Sequence, residues 1–161
     1  MTDIFDIGLS YSQSFNGVDV NFGARYGTAE NNTGIVGTDD PDTWGVGATI
    51  GVAGWTFGGS YAENDNGGLA NDQEGWSLGV TYDIPGPWAI GFDTYQGEWK
   101  DGAGGKAEYE SYQLAASRSL GKGVRWTVYA VYAEGTTDAV FANPNTEVEG
   151  TLIGTSVNLS F

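Results

Sequence analysis

Carboxylates, amines, guanidiniums and hydroxyls are the reactive side chains this sequence offers: 21 Asp and Glu, six Lys and Arg, and neither cysteine nor histidine among 161 residues. Those two absences exclude thiol catalysis, disulfide scaffolds, zinc fingers and any triad with imidazole as base. A glycosidase needs only two carboxylates, but nothing in the spacing fixes a pair at the ~5–10 Å that such chemistry requires. The residues point away from an enzyme. Two other sets of charges suggest a different chemistry. Asp39, Asp40 and Asp42 form the densest cluster of oxygen ligands and are the candidate Ca²⁺ site, in a loop; no other cofactor is implied. By alternation parity, Asp6, Asp19, Arg25, Asp83, Asp93 and Arg125 each fall on the small and polar side of their runs, opposite the apolar residues. There they either pair structurally across strands or tune the passage of ions.

The net charge of −15 makes binding to nucleic acid phosphates unfavourable and a cationic partner or permeant easier to accommodate. Sixteen of the 21 acidic residues fall in or beside four polar stretches, residues 28–42, 63–73, 100–107 and 135–146. Gathered at one end of a fold, they concentrate cations within a Debye length of ~8 Å. The plainer alternative is solubility and repulsion between loops.

What positions these groups is a period-two alternation that recurs nine times. Phe5, Ile7, Leu9 and Tyr11 oppose Asp6, Gly8, Ser10 and Ser12; Trp76, Leu78, Val80 and Tyr82 oppose Ser77, Gly79, Thr81 and Asp83. The seventh run is weakest, because its face of Tyr112, Leu114, Ala116 and Leu120 includes Arg118, which predicts a bulge or an arginine at a membrane edge. Tight turns at Asn16-Gly17, Ala53-Gly54, Pro85-Gly86-Pro87 and Gly121-Lys122-Gly123 alternate with the four polar stretches. That is the pattern of an up-and-down antiparallel sheet whose two ends face different surroundings. Glycine, at 27 residues without a G-X-Y period, excludes collagen and disfavours helix. No apolar run approaches the ~20 residues of a spanning helix, and Met1-Thr2-Asp3-Ile4 lacks the regions of a signal peptide. By itself that leaves a cytosolic protein or a processed or partial chain.

The apolar faces need either a second sheet or lipid. The opposite face is mainly Gly, Ser, Thr and Asn, which packs poorly and hydrates well. Trp44, Trp55, Trp76, Trp88 and Trp126 all take the apolar parity near strand ends, as an interfacial aromatic girdle requires. Strands of about ten residues suit a tilted crossing of the hydrocarbon layer. The expected fold is therefore an all-β transmembrane antiparallel barrel, with residues 1–161 as one unit.

In its repeats, such as Trp76-Ser77-Leu78-Gly79-Val80-Thr81-Tyr82, and in its terminal strand, residues 150–161 ending Asn158-Leu159-Ser160-Phe161, the chain resembles the general diffusion porins of bacterial outer membranes, of the alphaproteobacterial kind. The resemblance implies a homotrimer of water-filled barrels in the outer membrane, in contact with lipid and lipopolysaccharide, passing small hydrophilic solutes. It implies that Phe161 is the signal read by the barrel-assembly machinery. It also implies about sixteen strands, of which nine are found here. Single-chain bacterial barrels have even strand numbers, so the expectation is the C-terminal portion of a longer porin, with the constriction loop in the missing half. The alternatives are an eight-stranded barrel with residues 1–16 folded elsewhere, and a small closed barrel with a structural or adhesive role.

Overall fold

The computed structural model describes residues 2–32, 38–68, 72–100, 105–138 and 146–160; Phe161 and Asp101 lie outside the described residues. Nine strands follow in chain order: β1 (Thr2–Phe15), β2 (Val18–Glu30), β3 (Asp42–Val52), β4 (Trp55–Asp65), β5 (Asp72–Asp83), β6 (Trp88–Lys100), β7 (Lys106–Gly121), β8 (Val124–Thr137) and β9 (Thr146–Leu159). Each pairs antiparallel with the next, so the order across the sheet is the order along the chain. Among the described residues no helix is long and apolar enough to cross a membrane, a test that does not bear on spanning strands.

Register is set locally by the turns. Asn16 and Gly17 have φ of 49° and 79°, and Ala53 and Gly54 have 51° and 83°. Positive φ at both central residues is the turn geometry whose twist matches the flanking strands. Phe15 consequently faces Val18, and Val52 faces Trp55, with only the two turn residues between the members of each pair. The expected irregularity in the seventh run is a register shift between Ser119 and Gly121. It leaves Arg118 on the apolar face, its guanidinium carbon 5.4 Å from the centre of the Trp88 ring.

The sheet is a single layer, and no core of buried apolar side chains forms among the described residues. Ile4 is 77% exposed and Ile153 83%. A soluble sandwich buries such residues against a second sheet, and the described strands form one sheet only. Nor does the sheet close: β1 pairs with β2 and β9 with β8, and β1 and β9 do not pair with each other. With nine antiparallel strands these two edges run in the same direction.

Candidate functional site

Alternation gives the sheet two chemically distinct faces. On the small-residue face, a row perpendicular to the strands runs Ser12, Asn21, Thr49, Gly58, Gly79, Asp93 and Gln113, each the register partner of the next. These side chains bond along the row: the Ser12 hydroxyl donates to Asn21 Oδ1 at 2.6 Å, the Asn21 amide to Thr49 Oγ1 at 3.0 Å, and the Gln113 amide to Asp93 Oδ1 at 3.3 Å. Over this face lies a cavity of about 1060 Å³ lined from β2 to β8, with Asp83, Asp93 and Arg125 in its wall.

The six charged residues singled out in the sequence share this face, and the structure brings some of them together. Arg25 Nε donates to Asp6 Oδ2 at 2.9 Å, and its Nη2 reaches the same oxygen. Asp19 accepts from the Ser14 hydroxyl at 2.5 Å. Both members of the Arg25–Asp6 pair keep much of their side chains exposed, at 69% and 44%, so solvent screens the pair and its main effect is on the charge of the wall.

The opposite face carries the five tryptophans, toward two ends. Trp55 stacks on Tyr82 with centroids 4.5 Å apart, and Trp88 meets Trp126 at 6.2 Å, both toward the tight turns. Toward the long connections, Trp44 lies 5.1 Å from Tyr61, and Trp76 is the register partner of that tyrosine. Trp126 Nε1 donates to the Thr155 hydroxyl at 2.7 Å.

The carboxylates depart from the sequence expectation in place. Twelve of the sixteen, Glu63, Glu74, Glu98, Glu108, Glu134 and Glu149 among them, lie within strands that extend further than the apolar alternation does. Glu63, Glu74, Glu98 and Glu108 are successive register partners, as are Glu110, Glu134 and Glu149. By parity they share the face of the tryptophans. On β5 the outward series reads Tyr82, Val80, Leu78, Trp76, Glu74; on β8 it reads Trp126, Val128, Ala130, Tyr132, Glu134. Lys100 and Lys106 sit within the acidic rows: Lys100 contacts Glu98 at 2.6 Å and Glu74 at 3.3 Å, and Lys106 contacts Glu108 at 2.9 Å and also Glu98. The period survives while its polarity changes, and a reading by hydrophobic periodicity takes that for the start of a loop.

Asp39, Asp40 and Asp42 do not converge. Asp40 Oδ1 accepts the Asn31 backbone N–H at 2.8 Å. Among the described residues no group of three or more carboxylates is arranged to hold a metal ion.

Sequence reasoning missed one feature of the small-residue face. Trp99 and Tyr109 share that face with Tyr95, and the rings of Tyr95 and Tyr109 are 6.0 Å apart. Counting in twos from Asp93 reaches Tyr95, Gly97 and Trp99, but these positions lie beyond the last aliphatic residue of the run.

A family model described as Gram-negative porin matches residues 1–140. None of the curated proteins searched matches the sequence. Solved structures of OmpT, an outer membrane protein of Vibrio cholerae, superpose on it. The in-vitro folded trimer form gives a TM-score of 0.64 at 16% identity, covering 97% of this chain and 56% of that one. A second in-vitro folded form gives 0.62 at 18% identity, covering 94% and 55%, and a loop L8 deletion mutant gives 0.58 at 15% identity, covering 96% and 54%. This chain thus spans little more than half the length of the structures it matches.

Proposed function

The chain belongs to the Gram-negative porin family of the bacterial outer membrane, and from that premise we propose that its small-residue face lines a water-filled channel for passive diffusion of small hydrophilic solutes and ions. One observation carries the reading: a single sheet divides its residues into an apolar face that no second layer covers and a hydrogen-bonded face rich in Gly, Ser, Thr and Asn over a cavity of about 1060 Å³. Lipid satisfies the first face and water the second. A barrel without a channel fills its interior with interlocking side chains, and most of this wall is built of residues too small for that.

The tryptophans serve as interfacial anchors, with lipid against the aliphatic band between them and lipopolysaccharide beside the acidic rows. From Trp88 to Glu98 is ten residues of β6, or ~34 Å of strand, which at a tilt of ~40° rises ~26 Å, close to the apolar height of such barrels. The open edges favour a larger barrel of about sixteen strands. Unpaired backbone groups in hydrocarbon cost several kcal/mol each, and two edges that run the same way close antiparallel only through an odd number of further strands. A homotrimer accords with the trimeric form of the OmpT structure, and assembly through the last strand and Phe161 accords with the family. No step of this function is catalytic.

Conductance of the protein purified from outer membranes into planar bilayers tests the channel. Discrete steps that scale with bulk salt conductivity are expected. A protein that inserts and gives no conductance leaves the structural or adhesive role in its place.

A further inference from the structure

We infer that the inner wall near the long connections carries a contact site for neutral sugars, built on Tyr95, Tyr109 and Trp99. The inference rests on the channel reading and adds a solute class to it. Three aromatic side chains are gathered here on a face that is otherwise mainly small or polar, its other ring among the described residues being Tyr129 on β8. Each is accessible, with 42% of Tyr95, 46% of Tyr109 and 37% of Trp99 exposed. Alternation in twos along β6 puts Tyr95 and Trp99 on one line, and Tyr109, the register partner of Gly97, sits beside the gap between them.

Glycines seat the first ring. A Cβ built at Gly75 or at Gly97 comes within 2.6 Å of the Tyr95 hydroxyl, and at Gly97 also within 3.0 Å of the ring carbons. Tyr95 therefore lies down across two residues that have no side chain and turns one face of its ring away from the wall. Neither glycine has the positive φ that needs glycine for backbone reasons, so what they supply is the clearance.

In front of the rings is a cavity of about 500 Å³, within the range of small-molecule sites. Ser60, Asn64 and Gln73 on the adjoining strands give it neutral polar groups. Glu63, Glu74, Glu98 and Glu108 also line it, but by parity they belong to the other face, where their side chains engage Tyr61, Lys100 and Lys106. That composition selects the occupant. A cationic solute is best served by rings with carboxylates among them, and an anionic one by Lys or Arg. Aromatic faces with neutral amides and hydroxyls suit a pyranose, whose C–H faces stack on rings while its equatorial hydroxyls exchange hydrogen bonds at the edge. The contact is open to solvent and therefore weak, as a conduction path requires, since a solute that binds tightly does not leave.

The test is block of ion current through the protein in planar bilayers, with maltotriose as the probe and a polyethylene glycol of equal mass as the size control. Maltotriose is expected to lower the current at millimolar concentration and the glycol to have less effect. Trp99→Ala and Tyr95→Ala should raise the half-blocking concentration about tenfold, each variant's block being read against its own sugar-free current. Trp99→Phe, which retains a ring, should preserve most of the block and guards against a variant that simply misfolds. Equal block by sugar and glycol overturns the inference while leaving the channel intact, as does equal block of wild type and Trp99→Ala. Absence of any ion current overturns the channel reading first and this site with it.

Discussion

The hydroxyl of Tyr61 on β4 donates to Glu74 on β5 at 2.9 Å, and Tyr132 on β8 donates to Glu149 on β9 at 2.7 Å. In both pairs the ring continues the apolar face and the phenolic oxygen meets a carboxylate one step further toward the long connections. An amphipathic ring is stable in that attitude where hydrocarbon gives way to headgroups. The membrane boundary is therefore expected between Leu78 and Glu74 on β5. Nitroxide labels at Leu78→Cys and Val80→Cys should be relaxed by oxygen dissolved in lipid, and one at Glu74→Cys by a water-soluble nickel chelate. The same response at all three positions rules out a boundary there.

A charge in the aliphatic band should oppose membrane assembly. Ile90 and Val80 belong to that band, and Ile90 is 46% exposed in the absence of lipid. Ile90→Arg or Val80→Arg is expected to cost ~2–4 kcal/mol at the bilayer midplane. Thr81→Arg, one residue from Val80 but on the other face, should assemble. Gel mobility with and without heating, on isolated outer membranes, separates the outcomes. Normal assembly of both apolar-face variants counts heavily against the assignment of that face to lipid.

Strand number, the tight turns and the division into two faces were legible in the sequence because each rests on nearest-neighbour chemistry: Asn16-Gly17 imposes its turn, and Phe5 to Tyr11 alternate without exception. The irregularity beyond Arg118 was legible too, since a cation in an apolar parity needs a local explanation. The acidic rows were not. At Glu74 and Glu134 the strands continue, but the outward residue changes from apolar to charged, and hydropathy alone cannot tell a strand leaving lipid from a strand ending. Trp99 and Tyr109 escaped for the same reason. Their significance depends on Tyr95, which is seated on Gly75 and Gly97, and on three strands meeting, which no single run contains.

Selectivity for cations should be mild and dependent on salt. The small-residue face holds four carboxylates, Asp6, Asp19, Asp83 and Asp93, against Arg25 and Arg125, and Arg25 is engaged by Asp6. Reversal potentials across a KCl gradient should favour potassium at low salt and lose most of that preference near 1 M, where the screening length falls from ~8 to ~3 Å. Asp93→Asn should weaken the preference without affecting assembly, since its partner Gln113 is neutral. An anion preference at low salt excludes control by these carboxylates.

The Arg25–Asp6 pair offers a sharper test of the same wall. Because both side chains are open to solvent, Asp6→Asn is expected to leave thermal stability almost unchanged. It frees one guanidinium on the wall, so the reversal potential should move toward anions, and Arg25→Gln should move it the opposite way. A large loss of stability with no change in selectivity makes the pair a structural clamp instead.

The edges of the sheet give the last prediction. Leu9 is the register partner of Ala24 across β1 and β2. Residues directly opposed in an antiparallel pair have Cα atoms ~4.5–5.5 Å apart, within disulfide reach. A Leu9→Cys, Ala24→Cys variant should cross-link readily on oxidation in the membrane. Leu9→Cys with Val157→Cys joins the two open edges, β1 and β9, which run in the same direction. If these strands were to close on each other they would do so in parallel, whereas an odd number of further strands between them keeps every pair antiparallel. The second variant is therefore expected to stay reduced under conditions that fully oxidise the first. Efficient cross-linking between positions 9 and 157 within one chain means that the nine strands form a barrel by themselves, and a larger barrel is then excluded.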